Sequence, residues 1–430
     1  MDNIPVASSL SSAVRWRIVV LLMGFAALGH FNRVGISVAG SEVFIPKLGL
    51  SETRMGWVYT AFLIVYTLGM LPGGWLIDRI GSARALTLYG VTMGVFVMLT
   101  GTLGWLTNSA EGLWLSLLVI RGLAGLCSSP LHPGAAHLVS DLMSDRSRAT
   151  ANGMVTAGAV IGIAFSYPAF GWLMDRLNWP LAFVVSGLLL IGYSLMWRGM
   201  TTALLPASAS PSPPSKSLTT TNETNPGAGW NLLWQRNLWL LSLSYGAYGY
   251  FQYLFFYWMD YYFKSVLHVP EVDARWASFW IMLAMGAGMA IGGMSTDFVC
   301  QRFGTARGRR VIVVTGMGLG ALFGLLGVNV TGQINVAMCL AISMAALGMC
   351  EGVFWTTATD IGGKSRGFSG AFMNTIGNVG GLISPVLTPI MAERMGWPGA
   401  ITIACVIVGL GGAVWFAITL PEPQPRSTDA

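Results

Sequence analysis

Charge is what this sequence has least of. Aspartate, glutamate, lysine and arginine make up only 10% of its 430 residues, and hydrophobic residues make up 54%. A soluble globular chain carries about 25% charge, so an ordinary water-soluble domain is excluded. Cysteine is sparse too: five residues, most of them in apolar stretches and none in a CxxC pair. That excludes a disulfide framework or a zinc knuckle and leaves small buried side chains. There is no HExxH, no GxSxG and no clustered set of histidines and carboxylates within one apolar stretch. Neither a membrane enzyme nor a bound metal or organic cofactor is expected.

Apolar length, by contrast, is abundant. A hydrocarbon core about 30 Å thick takes roughly 20 apolar residues of helix, and stretches of that length recur between short polar breaks. Twelve are expected, over 17–40, 54–76, 83–107, 112–140, 148–174, 179–200, 236–262, 273–299, 309–329, 332–361, 366–393 and 396–420. The segment MDNIPVASSLSSAVRWR holds no cleavable apolar core ahead of the first span, so no removed signal peptide is expected. The net charge of +6 is not gathered into a patch for nucleic acid. With the N-terminus inside, sixteen lysines and arginines fall on the inner side and six, Lys264 and Arg275 among them, on the outer. This bias places both termini in the cytoplasm of a multi-pass cell-membrane protein, for a bacterium the inner membrane. Only Arg33 and Arg121 are left over, and both lie inside spans.

Residues 201–230, rich in Ser, Thr and Pro, lack the apolar content for a core and read as a cytoplasmic linker. The sequon at Asn222 falls there, on the wrong side for glycosylation. The linker separates two bundles of six helices, 1–200 and 231–430, in an all-α integral membrane fold. The halves repeat. GGWLIDRIGSAR at 73–84 is echoed by GGMSTDFVCQRFGTAR at 292–307, placing Asp78 and Asp297 219 residues apart, and Asp141 and Asp360 share the same offset. A same-direction repeat of six spans is the parallel kind, related by an axis along the membrane normal. In each loop a glycine, Gly74 in the first, lets the helix turn close to its neighbours. The acid pairs with loop arginines such as Arg79, Arg84 and Arg302 or with a helix N-terminus, which makes these loops candidate gates.

GGWLIDRIGSAR is similar to the loop signature of the major facilitator superfamily. FNRVGISVAG, MGWVYTAFLIVYTLGMLPGGWLIDRIGS, IRGLAGLCSSPLHPGA and FMNTIGNVGGLISP together resemble its anion:cation symporter branch, over nearly the whole chain apart from linker and tails. That branch includes carriers of sugar acids, and animal carriers of sialic acid, glutamate or phosphate. The resemblance implies that Arg33 and Arg121 bind or gate an organic anion, that Tyr66 lines the cavity and that Asn374 contacts the substrate. Carriers of this branch that couple to protons have Asp before the first arginine and Glu in the segment LCSSP. Here Asn32 and Ser128 stand in those places, so proton symport does not carry over from the resemblance.

The residues support an anion site in their own right. An arginine at the bilayer centre costs at least about 2.5–3.5 kcal/mol and normally faces something that needs it. Arg33, beside Asn32 and flanked by Gly29 and Gly35, could hold a carboxylate in two-point contact; a permanent bond to a buried acid is the rival. Adding the offset to Arg33 gives Gln252, which shares a helical face with Tyr245 and Tyr248. Tyr257, Tyr261 and Tyr262 read as an interfacial belt, and Tyr59 as a packed ring. Asn378, one turn after Asn374, needs a partner of its own. Glu351 reads as the one carboxylate deep in a span, with Trp355 a turn below, and is either a proton carrier or an arginine's partner. His30, His132 and His137 are further titratable candidates, and His132 matches Glu351 through the same offset.

The expected protein is therefore a monomeric secondary active transporter in the lipid bilayer. It moves a small organic anion, a carboxylate or sugar acid, by rocker-switch alternating access through a midplane cavity between the bundles. The coupling ion is a proton, through Glu351 or a histidine, or sodium; an uncoupled facilitator or exchanger is the alternative. A drug exporter would need buried acids where this chain has arginines, and a transporter-like sensor would need an appended domain.

Overall fold

The computed structural model describes residues 10–107, 109–204, 230–363 and 366–419, and among them there is no strand. Serines open the first helices: Ser11 accepts the Val14 N–H ahead of α1 (Ser12–Ala39) and Ser51 accepts the Arg54 N–H ahead of α2 (Glu52–Ile80). α2 bends by 52° just before Pro72, which lacks the N–H that would continue the ladder. The chain continues through α3 (Ser82–Leu106), α4 (Ala110–Ser128), α5 (Leu131–Leu142), α6 (Asp145–Phe165) and α7 (Gly171–Leu204). The second half holds α8 (Arg236–Tyr261), α9 (Glu271–Phe303), α10 (Thr305–Asn329), α11 (Gln333–Gly348), α12 (Glu351–Gly362) and α13 (Arg366–Ala413). Wider π turns extend α1 over Gly40–Phe44, α6 over Ser166–Phe170 and α8 over Tyr262–Val266.

Eight helical stretches are long and apolar enough to cross a membrane, or nine with the bent α2. Two of them, Thr150–Leu204 and Phe368–Phe416, run to 55 and 49 residues, more than twice what one crossing takes. Each breaks once, at Asn178 (φ 64°) and at Gly396 (φ 76°). The Asn178 side chain also caps the next helix by accepting the Leu181 N–H at 3.2 Å. Each of these stretches is two crossings. With α8, whose tyrosines, Gln252 and Asp260 dilute its apolar content, the described residues make twelve crossings, as expected.

By packing, the helices sort into two compact units, Met1–Thr220 with Phe256–Phe279, and Thr221–Phe255 with Trp280–Ala430. The second bundle expected from the linker, 231–430, includes residues 256–279, which pack with the first unit. Positions 205–229 of the expected linker, Asn222 included, and the chain ends lie outside the described residues.

Close helix crossings use glycine, as lipid gives no hydrophobic push between helices and contact distance decides the packing. In the first unit α6 meets α1 at Gly162, where an added Cβ would lie 2.0 Å from the Ala27 carbonyl oxygen. In the second, α13 meets α8 at Gly380, where a Cβ would lie 2.0 Å from the Gly246 oxygen. Neither obstacle is a side chain that can swing away. Gly162→Leu and Gly380→Leu are each expected to cost on the order of 1–3 kcal/mol or more, read as a lower melting temperature of the purified protein. Gly74→Ala, with nothing within 4 Å of the new Cβ, is expected to melt like the parent.

That contrast corrects the reading of the repeated loops. The close approach belongs to Gly73, whose Cβ would sit 2.6 Å from Ser129 Oγ, and to its counterpart Gly292, 2.4 Å from Met349; Gly74 and Gly293 face open space. The turns are made further on by Gly81 (φ 83°) and Gly304 (φ 84°). Asp78, Arg79, Arg84, Asp297 and Arg302 are all exposed, and Arg79 lies over the Trp75 ring at 5.0 Å. Among the described residues, ion pairs at these loops join His137 to Asp141 at 3.2 Å and Arg309 to Asp360 at 2.6 Å.

Candidate functional site

Within the first unit, α1 and α4 bring the two span arginines together. Arg121 is 1% exposed, and its Nη2 donates to the Arg33 carbonyl oxygen at 2.8 Å. Both guanidinium carbons face the Phe62 ring of α2, at 5.2 Å for Arg33 and 4.9 Å for Arg121, and Arg33 also lies 5.3 Å from the Tyr66 ring. Each ring face attracts the cation through its quadrupole. Nε and Nη1 of Arg121 make no hydrogen bond, and among the described residues no carboxylate pairs with this side chain. Asn32 turns inward as well: its Nδ2 donates to the Leu28 carbonyl at 2.9 Å, and its Oδ1 is buried without a donor.

One turn before Arg33, a small cavity is lined by Gly29, His30, Arg33, Tyr66, Tyr89, Ser128, Leu131 and His132. The two histidines belong together. His30 Nδ1 lies 3.0 Å from the Ala26 carbonyl oxygen, which can only accept, so Nδ1 carries the proton. His30 Nε2 lies 3.4 Å from His132 Nε2, and a neutral His30 accepts there while His132 donates. His137 faces elsewhere, with its Nδ1 on Ser82 and Asp141.

In the second unit, α8 and α12 build a carboxylate site. Glu351 Oε1 accepts from the Tyr245 hydroxyl at 2.9 Å and from Trp355 Nε1 at 2.8 Å. Its other oxygen and the hydroxyl of Tyr248 are buried without a hydrogen bond. Tyr245 and Tyr248 stack at 5.4 Å and pack on Phe354. The arginine expected as the rival partner of Glu351 is absent from these contacts. Gln252 reaches only the Met285 sulfur, at 3.8 Å. Asn374 is half-buried, and the Nδ2 of Asn378 is buried without an acceptor.

A second polar cluster in the first unit was not expected. Arg275 of α9 is 3% exposed; its Nε and Nη2 each donate to an oxygen of Glu42 at 2.7 Å, and Nη2 also reaches Asp175 at 2.9 Å. Lys264 donates to Glu42 and, at 2.6 Å, to Asp260. Ser41 donates to Asp260, from which it is separated by the repeat offset of 219. Room for the guanidinium comes from Gly171, where a Cβ would lie 2.2 Å from Arg275 Nε. Glu351 is thus not the one deep carboxylate: Asp260 and Glu42 are 1% and 4% exposed. The tyrosines read as a belt are buried too, Tyr257 stacking on Tyr59 at 4.6 Å and Tyr261 donating to Glu52. The readable signals were the i,i+4 pairs Asp260–Lys264 and Glu271–Arg275.

With the two span arginines brought together as candidates, the kinship of the chain is informative. The sequence profile of the Major Facilitator Superfamily matches residues 18–381 and 280–430. The chain is 24% identical to the D-galactonate transporter of Escherichia coli O6:H1, over 95% of this chain and 96% of that protein. It is 26% identical to a probable sulfoacetate transporter of Cupriavidus necator, over 88% and 87%. It is also 26% identical to a probable galactarate/D-glucarate transporter of Bacillus subtilis, over 90% and 87%. Among solved structures, a bacterial homologue of the human lysosomal transporter Spinster matches with a TM-score of 0.76 at 17% identity, over 95% of this chain and 97% of that one. This chain belongs to the major facilitator superfamily and is a membrane transporter.

Proposed function

We propose that the protein carries a small organic anion, a mono- or dicarboxylate or a sugar acid, across the bacterial inner membrane by alternating access. Arg33 is the main anchor and Arg121 its assistant. The observation that carries this is the buried guanidinium of Arg121, which has donors to spare and, among the described residues, no acid paired with it. A cation so placed is costly unless an anion comes to it. Asn32 and Tyr66 lie around the anchor; Tyr248, Gln252 and Asn374 supply hydroxyl and amide donors for a polyhydroxylated carbon skeleton, while Tyr245 and Trp355, whose own hydrogens go to Glu351, offer it a hydroxyl oxygen and an indole face. The relatives named for sugar acids and sulfoacetate support the same class. A proton, through Glu351 or a histidine, is the coupling ion; the chain works as a monomer, with both termini in the cytoplasm. The loops holding Asp78 and Asp297 gate the inner side.

Purified protein in proteoliposomes tests this by counterflow over D-galactonate, D-glucarate, sulfoacetate and a set of organic cations. Exchange of at least one of the anions and none of the cations is expected. Transport of cations alone would refute the reading. Sodium or pH gradients imposed in the same vesicles identify the coupling ion.

A further inference from the structure

The anchor's own cavity holds a pair of imidazoles. We propose that His30 and His132 form a single-proton site that fills and empties together with the organic anion, His132 Nδ1 being the atom that takes the proton. The proposal rests on the anion reading above and adds where the coupled proton sits.

The geometry limits the pair to one extra proton. His30 is committed at both nitrogens, donating from Nδ1 to Ala26 and accepting at Nε2 from His132. His132 lines the cavity, and its Nδ1 makes no hydrogen bond among the described residues, so its lone pair is available to a proton. The imidazolium so formed keeps its Nε2–H and still donates to His30, and a charged donor strengthens that long contact. A second proton would have to sit on His30 Nε2. It would remove the acceptor and set two cations 3.4 Å apart. The pair takes one proton and not two.

The surroundings tie that proton to the anion. From α1 the cavity receives Arg33, from α2 Tyr66, from α3 Tyr89 and from α4 Ser128; α6 contributes no ionisable side chain to it. The nearest carboxylate on the helix that carries His132, Asp141, is engaged with His137. A protonated His132 therefore adds a positive charge to a cavity whose described lining residues, Arg33 among them, include no carboxylate. A bound organic anion supplies the missing negative charge. Conversely, the anion is held better when the pair is charged. By linkage each ligand favours the other, which is what a symporter requires.

The test uses whichever of D-galactonate, D-glucarate and sulfoacetate shows counterflow, in proteoliposomes with the membrane potential clamped at zero by potassium and valinomycin. One proton per anion makes each imposed pH unit worth about a tenfold change in accumulation ratio. Calorimetry of binding in two buffers of different ionisation enthalpy counts the same single proton in the unmodified protein. In His132→Gln, whose amide can replace the donor to His30, accumulation is expected to lose its response to the pH gradient, and His30→Gln is expected to do the same. Glu351→Gln, whatever rate it leaves, keeps the tenfold response. Binding without proton uptake, about a hundredfold response per pH unit, or loss of the response in Glu351→Gln with its retention in His132→Gln would each overturn the proposal while leaving anion transport standing. Absence of counterflow with all three anions would instead strike the transport reading itself.

Discussion

Arg33→Lys is expected to abolish anion counterflow, by roughly 100-fold or more, while the purified variant melts near the parent temperature. Lysine keeps the charge but not the planar fork that meets a carboxylate at two points. A hydrogen bond to a charged group contributes about 1.5–3 kcal/mol, so losing one of two, with the geometry of the other, reaches a hundredfold. The surroundings of Arg33 sharpen the expectation. Its planar guanidinium is oriented by the faces of Phe62 and Tyr66, an orientation that a freely rotating ammonium does not keep, whereas the bond from Arg121 to the backbone carbonyl survives in the variant. Initial rates of counterflow over a range of anion concentrations are the measurement. A variant with the parent's rate and half-saturation would show that the charge alone, or another residue, holds the substrate.

The second large effect is on stability. Arg275→Met is expected to cost about 3–5 kcal/mol, because it leaves Glu42 buried with only Lys264 to face it. The expectation is specific in form. Replacing both partners, Glu42→Gln with Arg275→Met, is expected to recover part of the loss, since a buried pair exchanged for neutral side chains costs less than an orphaned charge. The thermal melts of the two single variants, the double and the parent form the cycle. Equal destabilisation by the double and by the sum of the singles would mean that the two residues act apart.

These two sites were not equally legible in the sequence. Arg33 stands out locally, a cation in a run of small and apolar residues, and the arithmetic of bilayer burial alone marks it. The twelve crossings were legible for the same reason: length and polarity are local properties. The buried ion pairs were legible only in their i,i+4 members, Asp260–Lys264 and Glu271–Arg275. Glu42 follows Ala39 and Gly40 at the end of the first span and reads as the start of a loop; Lys264 and Arg275 count simply as outer-side charges. What buries them is contact between residues 222 and 233 positions apart, which no helical periodicity records. The tyrosines at 257, 261 and 262 mislead by the same route. Their spacing fits an interfacial belt, and only the packing of Tyr257 on Tyr59 shows them inside. The His30–His132 contact joins residues 102 apart, so each histidine reads singly as a hydrogen-bonded side chain. In the repeated loops the motif was visible and its mechanics were not, because whether Gly73 or Gly74 touches a neighbour depends on helix rotation.

The most direct measurement is an experimental structure of the protein with its transported anion bound. The anchor role predicts the anion's carboxylate in two-point contact with the Arg33 guanidinium, with Arg121 still donating to the Arg33 carbonyl. An anion seated elsewhere, with the Arg33 guanidinium closed onto a carboxylate of the protein, would contradict it.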